Sequence, residues 1–324
     1  MIARAFDRRQ ALALLAGAGA SLFPGAPHAA EGWSPLEVRA APIPFDERDP
    51  ERTRVGQLVW RGGLQLGADE KRFGGWSDLW VSPDNARAIL IGDRGAALDL
   101  GLTFEGSLRG VGPSRMGRLI GPDGKPLAGR ATDAEGLARL PDGGFAVSFE
   151  QRHRILIYPP ANPPFSRAPR ALVPPPGAAK WPANGGMEAL APLPDGRFLV
   201  LIEETPQAWL GGAGGWAELT YRAAEGFKPV GACVSGDTLY ALERGFSWAG
   251  FASRIVRMPV AAVREGTTLD GEELARLRAP MAVDNYEGIA ATKDRDGRDL
   301  LWLIADDNFS VFQRNMLVRF DWEG

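Results

Sequence analysis

Cysteine and histidine are nearly missing from this sequence. Cys233 is the single cysteine in 324 residues, which excludes an internal disulfide in any redox compartment. Of the two histidines, His28 falls in an N-terminal stretch that reads as a leader, leaving His153 alone. One histidine cannot build a multi-histidine zinc cluster. Long apolar runs are also lacking: Ala11 to Phe23 is too short for a membrane anchor, and no other stretch is long enough to span. Neither sign of charge dominates, with 37 Lys and Arg against 40 Asp and Glu and a net charge of −3. This argues against nucleic acid or an anionic lipid surface as partner. Long amphipathic helical patterns are scarce, whereas glycine (41) and proline (26) are plentiful and 45% of residues are hydrophobic. Such a chain has ample core and many turns, and predicts an all-β protein.

The first thirty residues stand apart. Arg8 and Arg9 precede the apolar run, and Ala29 and Ala30 supply a small-residue exit, the layout of an export signal. The paired arginines point to the twin-arginine route, with a Sec signal as the alternative, so a periplasmic or secreted protein is expected. Loss of Arg4, Asp7, Arg8 and Arg9 with residues 1–30 would take the net charge from −3 to −5. Residues 31–54, proline-rich and charged, read as a linker. A single domain is expected from residue 55 to 324.

One short stretch organises that domain. Asp284-Asn285-Tyr286-Glu287-Gly288-Ile289 recurs in close form as Asp133-Ala134-Glu135-Gly136-Leu137 and Gly186-Met187-Glu188-Ala189-Leu190. Each copy leads into an apolar run, a tight turn, a second apolar run and another acid, a β-hairpin signature written repeatedly. The units begin at Ser77, Glu135, Glu188, Cys233 and Glu287, 58, 53, 45 and 54 residues apart. Their turns fall at Pro83-Asp84-Asn85, Pro141-Asp142-Gly143, Pro194-Asp195-Gly196, Ser235-Gly236-Asp237 and Asp294 to Gly297. Third strands follow at Arg154 to Tyr158, Ala217 to Tyr221, Arg254 to Met258 and Asn315 to Phe320. Repeats of this length predict a β-propeller, a β-sandwich with coincidental hairpins being the alternative. Five units are counted, and a sixth blade built from Val55 to Leu66 together with residues 104–130 stays open. Arg319-Phe320-Asp321-Trp322 is expected to pair with an N-terminal strand and close the ring. Two long insertions, the proline-dense 159–185 and the glycine-rich Leu210 to Trp216, read as either functional loops that overhang a site or floppy ones.

Antiparallel neighbours return to the same face, so the opening and closing acids of each unit belong on one side of the disc. The opening positions offer Asp78 or Ser77, Glu135, Glu188 and Glu287. The closing positions offer Asp93, Glu150, Glu203 or Glu204, Glu243, and Asp306 or Asp307. Like charges at that density cannot all ionise uncompensated. Calcium, a hard cation that takes oxygen ligands, is one expected compensation, and Arg94, Arg152, Arg154 and Arg244 beside the closing acids are the other. Carboxylates holding calcium next to arginines that fork onto an oxyanion suit a phosphate ester. The bland alternative is that strand-end acids are turn-formers or caps. His153 reads as a surface histidine, and Cys233 as packing.

The spaced set Asp133 to Leu137, Asn184 to Leu190, Asp284 to Ile289 and Asp306-Asp307-Asn308 through Gln313-Arg314-Asn315 resembles the phytase-like family, described as esterase-like activity of phytase. Phe73-Gly74-Gly75-Trp76-Ser77-Asp78 and Asp93-Arg94-Gly95 fit the same pattern, and the resemblance runs from about residue 57 to 321. It implies a secreted propeller with phosphoesterase chemistry supported by glutamates and aspartates. True β-propeller phytases, which are only distantly similar, have a calcium-rich carboxylate cluster with basic phosphate ligands. This chain departs from them in having few lysines near the mouth, and in Ala232-Cys233 where other units carry an acid.

The expectation is therefore a monomeric, metal-dependent hydrolase of a small, phosphorylated ester. Calcium would be held by Glu135, Glu188, Glu287 and nearby closing acids, with Arg94, Arg152 and Arg244 neutralising developing charge. The absence of a Gly-x-Ser-x-Gly elbow disfavours a serine hydrolase. A non-catalytic binding propeller with a structural metal, and a lactonase-like enzyme, are the alternatives.

Overall fold

Alternation of apolar side chains fixes the architecture before any long-range contact is considered. In the second strand of the last unit, Asp299–Ala305, Leu301, Leu303 and Ala305 point to one side while Trp302 and Ile304 point to the other. A strand buried on both faces belongs between two neighbouring sheets. The computed structural model describes residues 32–323, and the leader read in residues 1–30 lies outside them. These residues form a five-bladed β-propeller. Their helical content is confined to three-residue 3-10 turns, and no described helix is long and apolar enough to cross a membrane.

The blades follow chain order. Blade one runs outward from Trp76–Val81 through Arg87–Gly92 and Ala96–Glu105 to Ser107–Arg118. Blade two comprises Ala134–Arg139, Phe145–Phe149, Arg154–Tyr158 and Arg170–Leu172. Blade three comprises Met187–Pro192, Phe198–Ile202, Gln207–Gly212 and Gly215–Tyr221, with Thr268–Leu269 added in parallel. Blade four comprises Lys228–Ser235, Thr238–Ser247, Gly250–Pro259 and Glu272–Arg278. Blade five places Tyr286–Lys293 innermost, then Asp299–Ala305 and Met316–Trp322, and takes Leu58–Gly67 and Arg39–Ile43 from the other end of the chain. Each inner strand touches the next, and the fifth touches the first, so the ring is closed.

The expected pairing of Arg319 to Trp322 with an N-terminal strand is present, as Phe320 opposes Trp60 and Trp322 opposes Leu58. There is no sixth blade among the described residues. Val55 to Leu66 falls almost wholly in the outer part of blade five, and residues 96–118 form the two outer strands of blade one. Ala217 to Tyr221 is a fourth strand, not a third, because Leu210 to Trp216 is itself a hairpin in blade three, paired Gly212 to Gly215 at its turn. Residues 34–35 and 39–43, inside the stretch read as linker, add edge strands to blades one and five.

Five apolar clusters sit one at each blade interface. Ile89 and Ile91 meet Val147 and Phe149 between blades one and two, for example, and Ala146 and Ile155 meet Val200 and Ile202 between blades two and three. The Asp of the turn motifs is structural: Asp84, Asp142 and Asp195 each accept the backbone N–H two residues on, at 3.1, 2.8 and 3.0 Å. The residue that follows the Asp in the Pro-Asp-Gly turns, Gly143 or Gly196, has φ of +87° or +85°, which glycine adopts without steric cost.

Asp78 ties three inner strands together. Its carboxylate accepts the N–H of Leu79 at 2.8 Å and, across to blade two, that of Leu137 at 2.7 Å, with a further backbone bond from Ile289 of blade five. Asp78→Ala strands these buried donors and is expected to cost about 3 kcal/mol. Urea unfolding checks this, and a midpoint within error of wild type would show that the tie contributes nothing.

Candidate functional site at one mouth of the propeller

The inner strand of every blade carries a one-residue bulge at the same place. In blade one the register steps from Trp76 opposite Gly92 to Asp78 opposite Ile91, passing over Ser77. Glu188, Val230 and Glu287 are passed over in the same way in blades three, four and five. In blade two Glu135 and Gly136 together face Ser148. Bulges re-aim side chains, and these five positions form an opening ring at one end of the channel. A closing ring follows on the second strands at Asp93, Glu150, Glu203, Arg244 and Asp306. The four acids there donate their N–H to the carbonyls of Gly75, Asp133, Gly186 and Asn285 at 2.9 to 3.1 Å.

This geometry brings together seven of the acids read from the sequence, Asp93, Glu135, Glu150, Glu188, Glu203, Glu287 and Asp306, and gives four others different tasks. Asp78 lies one residue past the bulge and ties strands. Glu204 pairs with Lys228 at the surface. Asp307 shapes a loop, accepting from Gly75 N at 3.0 Å, Phe309 N at 3.1 Å and Asn315 Nδ2 at 2.8 Å. Glu243 points between blades, where Tyr221 Oη and Arg254 Nη1 each donate to it at 2.8 Å. The ring positions of blade four are Val230 and Arg244, not Cys233 and Glu243.

Arg244 is occupied. It donates to Asn285 Oδ1 at 2.8 Å, to Glu203 Oε1 at 3.0 Å and to Glu287. Burial pulls its pKa down, but Glu287, Glu188 and Glu203 together carry it above its ordinary value. Arg94 is exposed and lies over the Phe309 ring at 3.4 Å, and Arg152 is exposed in the turn that follows Phe145–Phe149. The mouth is thereby divided. Glu203 and Glu287 are neutralised by Arg244, whereas Asp93, Asp133, Glu135, Glu150, Glu188 and Asp306 make no ion pair among the described residues.

On the uncompensated side, Asp133, Glu135 and Glu150 each offer an oxygen within 4.8 Å of the others, a set that could hold a metal ion. Asp133 was not singled out from the sequence; its signal was its place in the repeat, directly before the opening strand. Burial pushes Asp93 and Glu150 up to about 7 and Asp306 up to about 8. Burial likewise drives Glu135 and Glu188 well above the carboxylate range, reinforced by their acidic neighbours, and raises Asp133. Glu287 is raised less freely, because Arg244 and Asn285 favour its charged form.

The residues fit a hard cation. Every donor is oxygen, and two buried oxygens at the rings, Ser77 Oγ and Asp93 Oδ1, have no hydrogen-bond partner. The backbone is cut back beside one of them: a Cβ on Gly75 would lie 2.1 Å from Asp93 Oδ1.

A family model described as Phytase-like, esterase-like activity of phytase, matches residues 71–309. No curated protein matches the chain. Among solved structures, virginiamycin B lyase from Staphylococcus aureus is 12% identical, with 88% of this chain and 99% of that one covered and a TM-score of 0.44. A second, described as a gluconolactonase by assignment, is 13% identical, with 89% and 94% covered and a TM-score of 0.45.

The raised carboxyls set the sign of a pH dependence. A carboxyl whose folded pKa lies above its unfolded value binds more protons when folded, so stability falls as pH rises between the two. In chelator, Tm is expected to drop by roughly 5 °C between pH 5.5 and 8.5, and calcium should reverse most of the drop. A chelated profile that stays flat or rises would mean that these groups are not buried together.

Proposed function

The chain belongs to the phytase-like family, described by esterase-like activity of phytase, and on that premise we propose that it is a metal-dependent hydrolase of phosphoric esters. The observation that carries this reading is the imbalance across the mouth: two of the carboxylates, Glu203 and Glu287, are held by Arg244, and the other six make no ion pair among the described residues. Asp133, Glu135 and Glu150 would hold calcium. Bound there, it would supply Lewis-acid polarisation of a phosphoryl oxygen and a water of lowered pKa.

The protein's own groups supply the proton transfers. Glu188, whose carboxyl is raised well above its ordinary range by burial and by Glu150, is the general acid that delivers a proton to the departing ester oxygen. Glu150, within hydrogen-bonding reach of Glu188, positions that acid, and Glu188 regains its proton from solvent water. Asp93, at about 7, accepts the proton of the attacking water as the P–O bond to the leaving group breaks. Arg94 faces solvent at the rim, free to meet an incoming anion. Arg244, with all its neighbours acidic or amide, orients Glu203 and Glu287 instead of touching substrate. The exported, monomeric enzyme of the sequence reading acts on a small phosphorylated ester, with neither nucleic acid nor membrane as partner.

Calcium titration followed by an ester panel tests this. Metal-dependent turnover of a phosphate ester is expected, with Glu188→Gln lowering kcat by about 10²- to 10⁴-fold at an unchanged Tm. Calcium-dependent melting with no turnover of any ester would favour a binding propeller with a structural metal, and turnover of lactones alone would favour a lactonase.

A further inference from the structure

The connection between the second and third strands lies at the mouth in every blade, and in three blades it is short and polar. It comprises residues 93–95 in blade one, 150–153 in blade two and 203–206 in blade three. Blades four and five are built differently. In blade four the ladder runs on past Arg244, pairing Phe246 with Phe251 and Ser247 with Gly250, so that a hairpin with Trp248 and Ala249 at its tip stands out beyond the ring. In blade five the connection is the longer loop 306–315. These two projections hold four of the five large apolar side chains that stand exposed among the described residues: Phe246, Trp248, Val311 and Phe312, 73% to 100% exposed. Scattered apolar side chains need no explanation. Their concentration on neighbouring projections of one face marks an interaction site.

Alternation fixes which way the hairpin faces. Leu239 and Ala241 join the cluster shared with blade three, and Tyr240 and Leu242 the one shared with blade five. Arg244 continues the second series by reaching Glu287, which puts Phe246 on the blade-five side of its strand. Across the pair, Phe251 is in step with Ile255 of the same cluster, and its ring packs on that of Phe246 with centroids 4.9 Å apart. The loop of blade five is held by its own hydrogen bonds. Asn308 Nδ2 donates to Gln313 Oε1 at 2.8 Å, Ser310 N to Asp307 O at 2.7 Å, and Arg314 Nε to Asp284 Oδ2 at 3.2 Å. Asn308 and Phe309 have φ of +47° and +51°, consecutive left-handed residues of a kind uncommon away from glycine and concentrated at functional sites. Val311 and Phe312, almost wholly exposed, add no packing to this loop.

We propose that the two projections form an apolar rim that receives the alcohol portion of the ester, an aryl group, while its phosphoryl group sits at the carboxylates. The division of the mouth selects this occupant. Carboxylates without a cation gather toward blade two and exposed apolar side chains stand on blades four and five, so a ligand that meets both is polar at one end and apolar at the other. The rings of Phe246, Phe251 and Trp248 favour a flat aromatic partner over an alkyl chain. That the occupant is part of a substrate rests on the hydrolase reading; the rim's preference for an aryl group does not.

The test is calorimetric titration of the full chain, with calcium present, using phenylphosphonate and, separately, methylphosphonate, neither of which has an ester bond to cleave. Phenylphosphonate is expected to bind about tenfold more tightly. Trp248→Ser/Phe312→Ser, at two exposed positions outside the ring, should erase that preference while Tm and methylphosphonate affinity stay unchanged. Equal affinity for the two probes, no binding of either, or a preference that survives in the double variant overturns the proposal. Without an aryl preference, binding of wild type to phosphatidylcholine vesicles, or its self-association, that the double variant abolishes would assign the rim to a lipid surface or a second copy and overturn it as well. An aryl preference lost in the double variant, with no turnover of any phosphate ester by wild type, would sink the hydrolase reading and leave the rim standing. Turnover of phosphate esters with equal affinity for the two probes would do the reverse.

Discussion

One extra residue in each inner strand is the constraint on which the site depends. In an unbroken ladder, side chains alternate between the two blade interfaces, and an acid at the strand's start would be driven into an apolar cluster. The bulges at Ser77, Glu135, Glu188, Val230 and Glu287 interrupt that alternation. The glutamates among them, Glu135, Glu188 and Glu287, stay out of the apolar clusters while the rest of each strand continues to pack its neighbours, and Val230 keeps to the cluster between blades four and five. Burial of carboxylates and burial of leucines can therefore occupy the same strand without conflict, which is why Glu188 and Leu190, two residues apart, are both almost inaccessible.

That placement creates the second constraint. Buried like charges must be protonated, paired or bound to a cation, and this mouth pairs them in one region and leaves them without an ion pair in the other. Blade four breaks the repeat with Val230 and Arg244, and its guanidinium reaches across to Glu203 and Glu287 on the neighbouring blades. Blade two goes the other way, adding Asp133 to the ring acids. Charge is thus balanced on one side of the axis and left unbalanced on the other.

The hairpins were legible because Pro-Asp-Gly turns and two-residue alternation are local signals, and they located five blades and the closing strand. Glu135, Glu188 and Glu287 were found because the same short motif surrounds each. The misplaced acids are each one residue off. Asp78, Glu204, Glu243 and Asp307 each neighbour a true ring position, and a bulge shifts the face by one residue without leaving a composition signal. Blade four was started late because its ring residue is Val230, which carries no acid to mark it. The supposed sixth blade arose because an outer strand supplied from the far end of the chain looks, in sequence, like the start of a new unit.

The break in blade four bears on more than charge. Five identical acidic blades would define a site on the axis, equally close to every glutamate, and a cation there would be a plug that braces the ring. Ser77 in the opening ring of blade one, and Val230 with Arg244 in blade four, depart from that pattern and remove the symmetry. The uncompensated oxygens then cluster toward blade two. An off-axis cation there has an open side that an axial one lacks, so the asymmetry is what permits a ligand to reach it.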